Sequence, residues 1–96
     1  MPLVVYVEDQ NHGRMAKTHD DRKGTLLALC EAAPEGSLMR CVQRCGDTML
    51  NEVQLREFAD ELNGLPMEMK SGTVRKLVAA AEFAIASHGY LYFVGT

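Results

Sequence analysis

The two ends of the chain carry its most apolar strand-like runs. Leu3–Val7 is continuous and rich in β-branched valine, a pattern that predicts a strand covered on both faces. Tyr90–Val94 is an equally compact apolar run near the other end. Because strongly apolar strands belong where burial is greatest, we expect both to be central in a single sheet, where they could be neighbours.

Two segments with weaker alternation predict strands nearer the edges. Arg14–His19 follows a polar segment with turn residues at Asn11 and Gly13, so it could be the exposed return strand of a hairpin. Ser37–Cys45 alternates as well, but neither of its faces is cleanly apolar. Gly46–Thr48 is expected to end that strand.

Helical spacing and capping residues predict a first and a second helix. The first is predicted over Arg22–Ala33, with Asp20 or Asp21 accepting hydrogen bonds from its free N–H groups. The second is predicted over Glu52–Asn63, where a capping box begins it and Gly64 offers a left-handed residue at its end. The capping box is formed by Asn51 and Gln54, and the buried stripe by Leu55, Phe58, Ala59 and Leu62.

A third helix is predicted before the last strand. It begins between Met67 and Thr73 and ends near His88, with Gly89 as its stop. Phe83 projects away from the main apolar face, on the same side as the alanines at 79 and 86. The main face consists of Val74, Leu77, Val78, Ala81, Ala84 and Ile85.

The resulting order, β(β)αβααβ, predicts an α+β fold. Connections this short disfavour an all-parallel sheet, because a parallel crossover needs a dozen or more residues. We therefore expect a mixed or antiparallel sheet of three or four strands, with three helices largely on one face. A length of 96 residues fits one domain.

Composition narrows the class of protein. Thirteen acidic and ten basic residues give a net charge of -3, which argues against nucleic acid as the main partner. The chain has no apolar run long enough for a membrane span and starts without the basic region of a signal peptide. Three cysteines cannot all pair within one chain, so we interpret them as reduced thiols of a cytoplasmic protein.

The cysteines and histidines do not form a recognisable metal-binding motif. Cys41 and Cys45 are separated by three residues, whereas structural zinc sites use a tighter pair and a second pair at similar spacing. No other sequence motif for a metal or cofactor is present either, and we expect none to be bound. The remaining candidate ligands are Cys30, His12, His19 and His88.

One segment could carry small-molecule or catalytic chemistry. Cys45 precedes Gly46, Asp47 and Thr48, so a thiol at a predicted strand end would be accessible there. No local signature supplies the histidine that a catalytic cysteine needs. An enzyme or ligand-binding site at Cys45, Asp47 and Thr48 is therefore an alternative, and the sequence favours a protein that is not an enzyme.

Two surface features favour a partner protein. Glu57, Asp60 and Glu61 lie together on the second helix, opposite its apolar stripe, and form an acidic face that a basic partner could recognise. Solvated charge on a helix is also the ordinary arrangement. Phe83 is either core, if another helix covers it, or an apolar contact of a homodimer.

Three segments resemble a group of small uncharacterised bacterial proteins, mostly actinobacterial. They are Val4–Asp9, Gly46–Asn51 with Gln54, and Ser87–Gly95, which includes the His-x-Tyr-Leu-Tyr-Phe-x-Gly ending. They cover less than a third of the chain, and Cys45 stands where that group tends to have an aromatic residue before Gly-Asp-Thr. The resemblance implies an α+β fold. It indicates neither an activity nor a functional site.

The first functional hypothesis is a protein-binding module. Its concrete form is an immunity or inhibitor-type protein that neutralises a partner through the acidic face. The alternatives are the small enzyme or ligand binder described above and a homo-oligomeric subunit joined through Phe83.

Overall fold

A four-stranded antiparallel sheet forms one layer of the protein, in a computed structural model that describes residues 3–95. The strand order is β2-β1-β4-β3, and each neighbouring pair is antiparallel. The strands are β1 (Val4–Glu8), β2 (Arg14–His19), β3 (Gly46–Leu50) and β4 (Tyr90–Gly95).

The two terminal strands are central and adjacent, as predicted. Val5 pairs with Phe93 and Val7 with Leu91, and all four side chains are buried. β2 pairs with β1 as the second strand of a hairpin and lies at the sheet edge, with five of its six residues exposed. The most apolar runs therefore occupy the positions with strand neighbours on both sides.

Three α-helices complete the order ββαβααβ, which confirms the predicted α+β arrangement. They are α1 (Thr25–Ala32), α2 (Glu52–Asn63) and α3 (Gly72–Ala86), with short 3₁₀ segments at Met39–Cys41 and Met67–Met69. The buried side chains of the helices and of one sheet face form a single hydrophobic cluster. No helix within residues 3–95 has the length and apolarity needed to cross a bilayer.

The predicted strand over Ser37–Cys45 is wrong. Met39–Cys41 is a 3₁₀ turn, and β3 begins at Gly46, where the prediction ended the strand. Met39 and Val42, three residues apart, are the buried residues of this segment, so its burial does not follow the two-residue period of a strand. Residues 46–50 form the strand because they pair along β4, from Gly46 opposite Gly95 to Leu50 opposite Leu91.

Both candidate aspartates cap α1. The carboxylate of Asp20 accepts hydrogen bonds from the backbone N–H of Leu26 at 2.8 Å and of Leu27 at 2.9 Å. The Asp21 carboxylate accepts from the N–H of Thr25 at 3.0 Å. The helix starts three residues later than predicted because the preceding turn ends at Gly24, whose φ is +71°.

The predicted bounds of α2 are confirmed, but the role of Gly64 is not. Asn51 and Gln54 form the reciprocal capping box, and the predicted stripe is buried. Gly64 has φ −80°, so it is not left-handed. Instead the N–H of Leu65 bonds to the carbonyl of Leu62, and the chain leaves the helix through this tight turn before Pro66.

The left-handed residue after α3 is His88, with φ +55°, and not Gly89. The N–H of His88 bonds to the carbonyl of Ile85, and the N–H of Gly89 to that of Ala84, which is the Schellman pattern. Gly89 is required for another reason. A Cβ there would overlap the carbonyl oxygen of Glu8, so the glycine permits close approach of β1.

Candidate functional site: the uncovered face of the sheet

The sheet face opposite the helices is not covered by another element of residues 3–95. Burial along β1 and β4 alternates: Val5 and Val7 are buried, whereas Val4 and Tyr6 are only half-buried. The expectation that β1 is covered on both faces is therefore wrong, because all three helices pack on one side. We call the other side the open sheet face, and its apolar residues are Val4, Tyr6, Met49, Tyr90, Tyr92 and Val94.

Register brings the tyrosines of this face together. Tyr6 lies directly opposite Tyr92, and Glu8 lies opposite Tyr90. Directly opposed residues of antiparallel strands share a face and lie within contact distance, so β1 and β4 place three tyrosines in adjacent positions. Met49 extends the surface on the far side of Tyr92.

The β1–β2 hairpin loop places His12 over one end of the open sheet face. The Asp9 carboxylate accepts hydrogen bonds from the N–H groups of Asn11 and Gly13, both at 2.8 Å. This turn holds His12 at φ +65°, with its ring stacked on Tyr90 at 4.5 Å between centroids. The Nδ1 of His12 lies 3.1 Å from the carboxylate of Glu8, which is only 5 % exposed.

A bulge places Arg14 on the same face. The register of β1 and β2 shifts between Val7 and Glu8, so that Arg14 lies opposite Glu8. The guanidinium carbon of Arg14 is 3.8 Å from the centroid of the Tyr6 ring. This stacking orders both side chains and leaves a cation at the edge of the aromatic surface.

Tyr92 is held by a hydrogen bond to the neighbouring strand. Its hydroxyl donates to the Asp47 carboxylate at 2.7 Å. Ionising the phenol would lose this bond and place a second negative charge beside Asp47, so the pKa of Tyr92 is raised. The side chain therefore stays a neutral donor at neutral pH. The tyrosines are thus pre-ordered before any partner arrives, which lowers the entropic cost of binding.

The residues of the predicted alternative site do not converge. Asp47 lies on the open sheet face, while Thr48 points to the other side and donates to the carbonyl of Cys41 at 3.0 Å. Cys45 is exposed in the segment before β3. Consecutive strand residues project to opposite faces, which separates Asp47 from Thr48. No group of three His, Cys, Asp or Glu among the described residues is placed to hold a metal ion.

The three thiols differ in burial, and this gives a testable prediction. Cys30 is buried, and burial raises its pKa to about 12, whereas Cys41 and Cys45 are exposed. At pH 7 a chromogenic disulfide reagent should modify two thiols of the native protein, and the third only after denaturant is added. The Cys41→Ser, Cys45→Ser double variant is the control and should show no rapidly reacting thiol. A native Cys30 that reacts as fast as the other two would contradict the buried position.

The acidic face of α2 is smaller than predicted. Glu57 and Asp60 are exposed, and neither forms an ion pair within 4.0 Å among residues 3–95. Glu61 is half-buried, and its two carboxylate oxygens accept hydrogen bonds from the N–H groups of Leu38 and Met39, each at 2.9 Å. It fixes the start of the 3₁₀ turn and is therefore not a free solvated charge.

Phe83 lies beside the edge strand, and no helix within residues 3–95 covers it. Its side chain is 46 % exposed, and it lines a groove of about 480 Å³ between α3 and β2. The expectation left open two positions for Phe83, core or surface patch. The structure places it at the surface.

The aromatic surface was not identified from the sequence, although a signal for it is present. Tyr90 and Tyr92 are two residues apart, the spacing that places side chains on one face of a strand. Tyr6 lies between Val5 and Val7 in the same way. The uninterrupted apolar runs of the two terminal strands favoured burial on both sheet faces. Tyrosine at alternate positions was the signal that one sheet face stays partly exposed.

Comparison with protein-family models, with curated proteins and with solved structures gives no match to this chain, so the resemblance to the bacterial group stays a prediction.

Proposed function

We propose that this chain is a protein-binding module and that the open sheet face is its main contact surface. The observation that carries the proposal is the set of three adjacent tyrosines on the two central strands, half-exposed and held in place by neighbouring side chains. Tyrosine, methionine and arginine are the residue types enriched where proteins bind one another. Here they occur together, around Tyr6, Tyr92, Met49 and Arg14.

The charges around this surface favour a partner protein over nucleic acid. Arg14 and Lys17 lie on the β2 side and Asp47 on the β3 side, so the rim is of mixed sign. Aromatic side chains also stack with nucleobases, but such sites combine them with a dense positive groove. A net charge of -3 and the acidic groups Glu8 and Asp47 on the same face do not provide one.

A second candidate surface is the acidic face of α2, now reduced to Glu57 and Asp60. The supporting observation is that both are exposed and form no ion pair within the described part of the chain. In this form the protein is an immunity or inhibitor-type module that neutralises a basic partner. Association would be fast and would weaken with added salt.

Affinity capture with matched variants tests both surfaces. The unmodified chain serves as bait in a lysate of the organism that encodes it, beside a Tyr6→Thr, Tyr92→Thr variant, in which threonine keeps the strand preference. Met67→Ser is the matched control, because Met67 is 76 % exposed in the 3₁₀ segment Met67–Met69, outside both surfaces. We expect one protein to be captured by the unmodified chain and by the control, and to be lost with the tyrosine variant.

Purified partner then gives the size of the effect. Removing two central tyrosines should weaken binding at least about tenfold. The second surface would be supported in place of the first by a different result. In that case the tyrosine changes leave capture unaffected, and Glu57→Lys with Asp60→Lys abolishes it. Loss of the captured material on nuclease treatment, or a homodimer that the tyrosine changes dissociate, would contradict a partner protein at this face.

A further inference from the structure

The outer edge of β2 is an unpaired strand edge beside an apolar groove. β2 is the terminal strand of the order β2-β1-β4-β3, and the hydrogen bonds of residues 14–19 within the described chain are those to β1. Its outward N–H and C=O groups are therefore available to another strand. The shift in register lies at Arg14, so the pairing from Ala16 to His19 is regular.

The groove along this edge combines an apolar wall with cations. Phe83 and Ala80 of α3 face Ala16 and Thr18 of β2, and Lys76 lies one turn from Ala80 on the same helix. Lys17 and His19 of β2 also line the groove. Among residues 3–95 neither Lys17 nor Lys76 has an acidic partner within 4.0 Å.

We propose that β2 binds an extended segment of a partner protein by strand addition, and that this segment alternates acidic with apolar residues. Main-chain hydrogen bonds to β2 would supply the pairing. Apolar side chains of the added strand would cover Phe83, and acidic side chains on the other face would lie opposite Lys17, where pairs of opposite charge are favourable. The pairing uses the outer main-chain edge of β2 and needs no contact with the tyrosines, although Lys17 lies opposite Tyr6 on the open sheet face.

Charge also decides against a second copy of this chain at the same edge. Two β2 strands paired with each other would each bring Arg14 and Lys17, so cations would accumulate along the new pair. An acidic segment meets those residues with opposite charge. The apolar wall formed by Phe83 then supplies contact area for the other side of the segment.

The test uses a peptide of about eight alternating valine and glutamate residues, a length that spans β2. We expect saturable binding to the full chain and slower hydrogen exchange of β2 amides, measured by NMR. Lys17→Glu should weaken binding about tenfold. Arg75→Glu is the matched control, because Arg75 is an exposed cation of α3 that does not line the groove.

Two further peptides separate strand addition from nonspecific attraction. The same peptide N-methylated at every residue lacks amide donors and should not bind. A valine–lysine peptide should not bind either. Equal binding of either peptide, no binding of the valine–glutamate peptide at millimolar concentration, or unchanged exchange at β2 would overturn the proposal. Slow hydrogen exchange of the outward β2 amides in a dimer of the free protein would also overturn it. The N-methylated peptide and the exchange of β2 amides report main-chain pairing at β2, which contact with Tyr6 and Tyr92 alone would not produce, so failure here is distinct from failure of the open sheet face.

Discussion

Replacement of Gly89 by alanine should lower the free energy of unfolding by about 3 kcal/mol or more, the range of a severe overpacking change. A Cβ at this position overlaps the carbonyl oxygen of Glu8 and lies 3.0 Å from its carbonyl carbon and 3.2 Å from the Cα of Asp9. These neighbours are backbone atoms of β1 and its turn, so they cannot move aside as a flexible side chain would. Denaturant unfolding followed by circular dichroism measures the loss.

Gly72→Ala is the matched control for this substitution. Gly72 is the first residue of α3, and no atom of the described residues outside the adjoining turn lies within 4 Å of an added Cβ. Alanine there should leave stability unchanged or raise it by about 0.5–1 kcal/mol, because alanine has less freedom to lose on folding and a better helix propensity. Equal stability of the Gly89→Ala and Gly72→Ala variants would show that β1 and the end of α3 are not in close contact.

Replacement of Asp20 by alanine should cost about 3 kcal/mol, because it leaves buried N–H groups without acceptors. Asp20 is 6 % exposed, and its carboxylate accepts from Leu26, Leu27 and Asp21. Neutral asparagine keeps a single acceptor oxygen, so Asp20→Asn should show a smaller loss in the same denaturant measurement. Asp20 thus links the end of β2 to the start of α1.

Asp60→Ala provides the comparison for Asp20. Asp60 is exposed on α2, so its removal should change stability by less than about 0.5 kcal/mol. An Asp20→Ala variant as stable as Asp60→Ala would mean that water replaces the lost carboxylate. The proposed anchoring of α1 by Asp20 would then be wrong.

Helix α2 shows which features a sequence predicts well. Its bounds, its capping box of Asn51 and Gln54, and its buried stripe are all as expected. Each depends on residues within about four positions of one another, where helical geometry alone decides which side chains meet. The same holds for the hairpin of β1 and β2, whose turn residues lie between two short strands.

The segment before β3 shows where prediction from the sequence failed. Its balanced alternation indicated a strand, but Glu61, more than twenty positions away, binds the N–H groups of Leu38 and Met39 and holds the chain in another conformation. Gly46 was expected to end a strand, and it begins one because Gly95 lies opposite it. A Cβ on Gly95 would be 2.6 Å from the carbonyl oxygen of Gln43, so the two segments pack closely at this point. Such contacts join residues that no local pattern connects.

The candidate binding surface combines both kinds of information. The sequence by itself determined the two apolar terminal strands, the helices and the two-residue spacing of Tyr90 and Tyr92, because periodicity and capping depend on near neighbours. Only the tertiary structure decided that the helices cover one side of the sheet and that Tyr6 meets Tyr92 on the other. The tertiary structure also decided that Glu61 accepts backbone hydrogen bonds instead of contributing a free charge to the acidic face, and that Phe83 is exposed beside β2. The physical reason is that coverage of a sheet face depends on how elements distant in sequence pack together. A local pattern of residues does not determine that packing.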